Sequence, residues 1–325
     1  MNPFVFLVGC ARSGTTLLGR IVDAHPQIAI TPELHWITDA ILDNLRGLGE
    51  RPWSGRRKGW LEPEGTVPPD LVPALAQHKR FRQLGFTRQE FEGLLVGEQV
   101  SYVAFLNGLF DLYGRKKGKP LVGNRTPAYV QRVASLHAFW PRARFVHLIR
   151  DGREVCLSVL TWTHALRSAG RYATWAEDPV TTTALWWKRK VGLARQRGQA
   201  LGPELYYEIR YENLVSRPAE ECSRLCAFLG MPYDEAMLRF HEGRTRADPG
   251  LDAKEAWRPI TPGLRDWRSQ MPSADVERFE AAAGDLLNEI GYPRAFPHPS
   301  PEVLRHVARI RDQFTQEVCA RPDCW

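Results

Sequence analysis

Residues 4–18 read Phe4-Val-Phe-Leu-Val-Gly-Cys-Ala-Arg-Ser-Gly-Thr-Thr-Leu-Leu18, an apolar run followed by a loop with two glycines. The apolar run is typical of a buried strand, which we expect over Pro3–Val8. Beyond the loop, apolar residues recur at helical spacing and predict a helix over about Thr15–Ala24. A strand, a glycine-containing loop and a helix in this order predict the opening unit of an α/β fold.

The loop between these two elements has the chemistry of a phosphate site. Gly14 permits a backbone conformation that other residues resist. Backbone N–H groups and the hydroxyls of Ser13, Thr15 and Thr16 can then face one point at the helix N-terminus. In the loop of nucleoside triphosphatases a lysine precedes the Ser/Thr, whereas here Thr15 takes its place and Arg12 supplies the charge. The loop therefore predicts phosphate binding and weakens an ATPase or GTPase interpretation.

A second anion site is indicated farther along the chain. Arg144–Ile149 reads as a strand, Arg150 follows it, and Ser158 lies about two turns into the next predicted helix. A guanidinium fork and a hydroxyl in these positions can converge on one phosphate. The alternative is an ordinary ion pair of Arg150 with Asp151 or Glu154.

The remaining pattern predicts α/β architecture, with a central parallel sheet flanked by helices. Further strands are expected over Pro120–Gly123 and Glu204–Arg210, each followed by a helical pattern. Strands that alternate with helices form parallel sheets, and ligands bind at the carboxyl ends of their strands. We expect a single domain over residues 1–325, in which 36–118 and 162–200 are helical or loop insertions.

Composition excludes several classes of protein. The 325 residues are 43% hydrophobic and 25% charged, as in folded proteins, with a formal charge of +7 that is not gathered into a basic tail. We therefore expect no nucleic-acid partner. No apolar stretch is long enough for a membrane span and no secretory leader is recognised, so we expect a cytoplasmic protein. Six cysteines without zinc spacing predict no metal site.

Together, Arg-Ser-Gly-Thr-Thr after one strand and Arg-Asp-Gly-Arg-x4-Ser after another resemble the sulfotransferases. These enzymes use 3′-phosphoadenosine 5′-phosphosulfate (PAPS) and release its desulfated product PAP, on a P-loop-like nucleotide-binding fold. The resemblance implies that one group of residues holds the 5′-phosphosulfate, namely Arg12, Ser13, Gly14, Thr15 and Thr16. It implies that Arg150 and Ser158 hold the 3′-phosphate. Arg210-Tyr-Glu-Asn-Leu214 and the Arg258-Pro259 element extend the likeness, which places Tyr211 near the nucleotide and Arg258 on a phosphate.

The likeness is greatest to the branch that contains tyrosylprotein sulfotransferases and many bacterial sulfotransferases. Leu17–Pro26 and Thr31-Pro-Glu33 match that branch, in which the glutamate is the general base. Gly123-Asn-Arg125-Thr-Pro127 resembles its Asn-Lys-x-Pro segment, with arginine for the lysine that stabilises the transition state. The resemblance thus implies that Glu33, Arg12 and Arg125 are catalytic, that no metal is required, and that the source is bacterial.

Several alternatives stay open. His35 or His164 could replace Glu33 as the base, and the chain could instead be a P-loop kinase or NTPase, or a non-catalytic nucleotide-binding module. A kinase would need a loop lysine and Mg²⁺ ligands. The acceptor is expected to be the hydroxyl group of an alcohol or phenol, carried by a small molecule, glycan or lipid. The insertions 36–118 and 162–200 are expected to lie on the acceptor side. The sequence does not indicate the oligomeric state.

Overall fold

The computed structural model describes residues 4–35, 37, 65, 67, 82–95, 100–243 and 258–320. In the expected insertion 36–118, most of the residues before residue 82 therefore lie outside the described part of the chain. Within the described residues, no helix is both long and apolar enough to cross a bilayer.

Five strands of the described chain form a parallel sheet. As β1 to β5, they span Val5–Gly9, Ile28–Thr31, Leu121–Arg125, Arg144–Ile149 and Tyr206–Arg210. The order across the sheet is β2-β3-β1-β4-β5, and each neighbouring pair is parallel. The predicted α/β fold with a central parallel sheet is confirmed, and the carboxyl ends of all five strands lie along one edge.

Helices cover both faces of this sheet. In chain order, α1 to α11 span Thr15–Asp23, Arg88–Glu92, Tyr102–Lys117, Val133–Phe139, Gly152–Leu160, Pro179–Gln199, Tyr211–Ser216, Pro218–Leu229, Trp267–Gln270, Ser273–Ile290 and Pro301–Ala320. Short 3₁₀ turns occupy Gly93–Leu95, Pro127–Gln131, Ala165–Arg167, Ala169–Arg171, Ala173–Ala176 and Glu235–Met237.

The central strand β1 is apolar throughout because it is covered on both sides. Phe6 and Val8 pack in the cluster that includes α3 and α4, while Val5 and Leu7 pack in the cluster that includes α1 and α8. Successive side chains of a strand point to opposite faces, so a strand between two helical layers loses its polar alternation. This burial fixes the position of the loop that leaves the carboxyl end of β1.

The structure differs from the predicted elements in a few places. The helix expected over Pro127–Phe139 is a 3₁₀ turn followed by α4, with Arg132 between them. The segment 162–200 consists of three short 3₁₀ turns and then the long helix α6, which the sequence pattern did not delimit. The helix expected after β5 is divided into α7 and α8 at Arg217, where Pro218 begins the second helix.

Candidate active site

The predicted site residues lie along one edge of the sheet. Glu33 follows β2, Arg125 ends β3, the glycine loop follows β1, Arg150 follows β4, and Tyr211 follows β5. Given the strand order, they form a row that begins with Glu33 and ends with Tyr211. Adjacent strands are about 4.8 Å apart, so the strands before Glu33 and Arg150 are separated by about 14 Å. These residues line one pocket, apart from the buried Ser13 and Arg125. The Arg125 guanidinium contacts two lining residues, Glu33 and Thr16.

The glycine loop adopts the backbone geometry of an anion cradle. Arg12 and Gly14 both have positive φ angles, 73° and 92°. Gly14 is also the N-cap of α1, and no side chain caps the helix there, so the first N–H groups of α1 are left to a ligand. A Cβ atom on Gly14 would lie 2.6 Å from the Tyr211 ring. Only glycine satisfies both the backbone conformation and this close approach.

A buried hydroxyl in the same loop fits an oxyanion. The Oγ atom of Ser13 is fully buried and has no hydrogen-bond partner among the described residues. An unsatisfied buried hydroxyl is unfavourable, and a phosphate oxygen would accept its hydrogen bond. The residues present therefore fit a phosphate group at this loop.

The two anion subsites predicted from the sequence are in direct contact. Arg12 Nε donates a hydrogen bond of 2.9 Å to Ser158 Oγ, and the Arg12 guanidinium lies 5.1 Å from the centre of the Trp162 ring. Burial lowers the pKa of Arg12, and the charges of Arg265 and Arg150 lower it further. Such a concentration of buried cations attracts an anionic ligand.

Arg150 is held in place from two sides. Its guanidinium lies 4.3 Å from the centre of the Tyr211 ring and donates hydrogen bonds of 2.9 and 2.8 Å to Glu154 Oε2. The ion pair between Arg150 and Glu154, which the sequence offered as an alternative to phosphate binding, is therefore present. Asp151 pairs with Arg153 instead. Burial raises the pKa of Glu154, partly offset by Arg150. Arg150 and Ser158 lie in the same pocket, so both remain able to contact one phosphate.

Glu33 and Arg125 form an ion pair at the other end of the row. Arg125 Nη1 lies 2.9 Å from Glu33 Oε1 and donates a longer hydrogen bond of 3.3 Å to Thr16 Oγ1. Its side chain is 4% exposed, whereas that of Glu33 is 19% exposed. One guanidinium thus connects the carboxylate to the glycine loop. This contact places the Glu33 carboxylate beside the glycine loop.

The two histidines considered as alternative bases, His35 and His164, differ in their surroundings from each other and from His25. His35 Nε2 lies 3.1 Å from Glu33 Oε2, and His35 lines the pocket. His164 is exposed and lies outside the pocket lining. His25 is buried, and its ring nitrogens bond the backbone of Pro232 and Gln27. Of these three, His35 is the one beside Glu33.

Some pocket residues were not singled out as site residues from the sequence. Arg258, which the sequence did predict as a site residue, lines the pocket and is exposed. Trp162, Arg171, Trp186 and Lys190 also line it, from the segment 162–200 that was expected to form an insertion. No local motif marks Arg171 and Lys190, because long-range packing brings them to the sheet edge.

Metal and nucleoside-triphosphatase alternatives gain no support from the described residues. No group of three or more His, Cys, Asp or Glu side chains in that part of the chain is placed to hold a metal ion. Asp151, which follows Arg150 at the end of β4, caps α5 and pairs with the buried Arg153. Cys222 and Cys226 are both buried, and Cys226 contacts the Met237 sulfur.

The chain matches a known protein family over most of its length. Residues 3–235 match the profile of the sulfotransferase family. This chain belongs to that family. The predicted enzyme class, a sulfotransferase, is therefore confirmed.

Named relatives lie in the branch that the sequence indicated. The sulfotransferase is 24% identical over 303 residues to protein-tyrosine sulfotransferase A of Caenorhabditis elegans, a match that covers 91% of this chain and 69% of the relative. It is 28% identical over 321 residues to nodulation protein NoeE of Sinorhizobium fredii, covering 90% of this chain and 67% of that protein. The predicted bacterial source and cytoplasmic location stay predictions.

Solved structures support the fold. The sulfotransferase domain of the Synechococcus PCC 7002 olefin synthase is similar with a TM-score of 0.59 and 23% identity, over 90% of this chain and 95% of that one. The sulfotransferase domain from the curacin biosynthetic pathway gives a TM-score of 0.53 and 17% identity, over 96% and 98%. The sulfotransferase fold expected from the sequence is thus confirmed.

Proposed function

We propose that this sulfotransferase moves a sulfuryl group from PAPS to the hydroxyl of an acceptor by in-line transfer, with Glu33 as general base. The observation that carries the proposal is the row of side chains along the sheet edge. Along this row, a base, a bridging guanidinium, an anion cradle and a second anion site follow one another in the spatial order that such a transfer needs. An alternative order would separate the base from the cradle.

The donor end of this row suits a nucleotide with two separate anionic groups. The glycine loop, with Ser13 Oγ and the N-terminus of α1, would hold the 5′-phosphosulfate. Arg150 and Ser158 would hold the 3′-phosphate, and Arg258 would add charge at the pocket mouth. Tyr211 would hold Arg150 in position through its ring and pack against Gly14 of the glycine loop. When bound, PAPS supplies the sulfuryl group: its sulfur bonds to the acceptor oxygen as the S–O bond to the 5′-phosphate breaks, and PAP leaves.

At the acceptor end, Glu33 would take the proton of the attacking hydroxyl. Its ion pair with Arg125 orients the carboxylate, since charge-assisted hydrogen bonds are short and directional. Arg125 also contacts Thr16, so the same side chain is positioned to stabilise charge on the sulfuryl oxygens. Arg12, on the opposite side of the loop, would stabilise the charge that develops on the leaving phosphate.

The donor assignment is tested by calorimetry on the whole chain, with PAP and ATP–Mg²⁺ as ligands. We expect PAP to bind without added metal and more tightly than ATP–Mg²⁺. Arg150→Ala should weaken PAP binding at least about tenfold, since a charge-assisted hydrogen bond contributes about 1.5–3 kcal/mol. The matched control is Arg217→Ala, which removes a 53% exposed arginine side chain paired with Glu220 outside the pocket.

Two results would contradict the assignment. Preference for ATP–Mg²⁺ would favour a P-loop kinase or NTPase. PAP binding that is insensitive to Arg150→Ala would remove the 3′-phosphate site. Tight PAP binding without sulfuryl transfer to any hydroxyl acceptor in a broad panel would instead favour the non-catalytic module.

A further inference from the structure

A lysine in the pocket belongs to neither of the anion subsites. Lys190 lies on α6, one turn beyond Trp186, and both side chains line the pocket. Its ammonium donates a hydrogen bond to Gln131 Oε1, at the end of the 3₁₀ turn that follows β3. Lys190 therefore lies on a helix that carries none of the proposed donor ligands, with its ammonium bonded to the segment beyond Arg125 and close enough to interact with Cys10 of the glycine loop.

Within the described residues, Lys190 has no carboxylate partner. The hydrogen bond to Gln131 is its one side-chain contact of this kind there, which leaves two of its three N–H donors for a ligand. The charged and titratable groups that act on it are the thiol of Cys10 and the guanidinium groups of Arg171, Arg132 and Arg189. Three of these four are cations.

The Cys10 thiol supplies no negative charge to offset them. Burial raises the pKa of Cys10 to about 12, so the thiol is protonated at neutral pH. Burial, with smaller contributions from the arginines, lowers the pKa of Lys190 to about 7. A partly buried amine among cations is stabilised in its charged form when an anion binds beside it.

We propose that Lys190 binds a carboxylate on the acceptor, so that the acceptor is a small hydroxy acid with an apolar body. This inference rests on the proposed sulfuryl transfer and names the acceptor class for that same site. Trp186 and Val130 supply apolar wall beside the ammonium. Lys190 is presented by the pocket wall rather than by the outer surface, which suits a small molecule rather than an acidic protein segment.

The test compares an acid with its neutral amide on enzyme loaded with PAP. The probes are 3-(4-hydroxyphenyl)propanoate and 3-(4-hydroxyphenyl)propanamide, titrated by calorimetry. We expect the acid to bind about tenfold more tightly than the amide, as one charge-assisted hydrogen bond predicts. Lys190→Met should bring this ratio close to one and leave PAP affinity unchanged.

The matched control is Lys188→Met, on the same helix. Lys188 pairs with Asp285 and lies outside the pocket lining, so this variant should keep the preference for the acid. Wild-type enzyme that binds the acid no better than the amide, including binding neither, overturns the inference. So does a preference that persists in Lys190→Met.

A third outcome separates this inference from the proposed function. If Lys190→Met weakens PAP binding, or slows transfer from PAPS to both probes equally, Lys190 serves the donor and the inference fails while sulfuryl transfer stands. If wild-type enzyme does not bind PAP, the proposed function fails. Titration of the two probes into PAP-free enzyme then still tests the carboxylate site by itself.

Discussion

Glu33 and His35 share a hydrogen bond, so variants of each can separate their roles. Glu33→Gln keeps the shape of the side chain but removes its basicity. We expect kcat for sulfuryl transfer to fall about 10²–10⁴-fold, the usual contribution of a general base, with PAP affinity unchanged in calorimetry. His35→Gln serves as the matched control and should cause a much smaller loss. A large loss in His35→Gln with a small one in Glu33→Gln would make His35 the base.

Lys190 gives the acceptor site a pH dependence of known sign. Its pKa in the free protein is lowered to about 7, and a bound carboxylate favours the protonated amine. Binding of 3-(4-hydroxyphenyl)propanoate should therefore take up a proton, and its affinity should fall as pH rises from 7 to 9. Calorimetry in two buffers with different ionisation enthalpies measures the uptake directly. Equal heats in both buffers at pH 8 would contradict the prediction, and Lys190→Met should show no uptake.

Gly14 allows a test of the anion cradle with a closely matched control. Gly14→Ala places a methyl group 2.6 Å from the Tyr211 ring at a φ angle of 92°, and we expect PAP affinity to fall at least about tenfold. Gly202→Ala introduces the same type of backbone strain at φ 84° with nothing within 4 Å of the new atom. The strain costs about 1–2 kcal/mol at either position. If both variants lose PAP affinity equally, contact with Tyr211 is not the cause.

Strand β4 contains a buried histidine that links the sheet to acid stability. His147 Nδ1 lies 2.6 Å from Tyr206 Oη on β5, and that hydroxyl donates to Glu208. His147 must then donate from Nδ1, and its buried Nε2 has no partner in the described structure. Burial is the main cause that lowers the pKa of His147 to about 3. The unfolded chain, with an ordinary histidine pKa of about 6.5, binds this proton more readily.

The free energy of unfolding should therefore fall as pH drops below about 6.5. The contribution of His147 is about 1 kcal/mol between pH 6.5 and 5.5, and its slope approaches about 1.4 kcal/mol per pH unit at lower pH. Urea unfolding at pH 6.5, 6.0 and 5.5 measures the slope, and His147→Asn, which does not titrate there, should reduce the slope by about 1 kcal/mol per pH unit. An unchanged slope in His147→Asn would show that other groups govern acid stability.

Elements differed in how well sequence patterns predicted them. The strands β1 and β4 and the residues after them were predicted because each motif is local: an apolar run, then polar residues at the carboxyl end. Helix α6 was not delimited, since residues 180–187 are all buried and no polar face marks a helical period. The position of Lys190 in the pocket, and the bond between Arg12 and Ser158, depend on packing between distant segments. Periodicity carries no information on such contacts.

The whole molecule should gain stability from PAP, because the ligand would join loops from all parts of the sheet edge. At about 100 times its Kd, a ligand of the native state stabilises by about 2.7 kcal/mol, which for a chain of this size raises Tm by about 5 °C. Calorimetric melting with PAP and with 5′-AMP at equal concentration measures the part due to the 3′-phosphate. Equal shifts for the two nucleotides would contradict a 3′-phosphate site at Arg150 and Ser158.

The central place of β1 has a consequence for synthesis of the chain on the ribosome. Its apolar residues are translated well before those of its sheet neighbours β3 and β4, which extend to Arg125 and Ile149. Until those strands have emerged, the nascent chain exposes Phe4–Val8, a segment prone to aggregation or chaperone capture. Tyr211, which backs the glycine loop, is made later still. Nucleotide capture at the complete loop therefore requires translation at least as far as Tyr211.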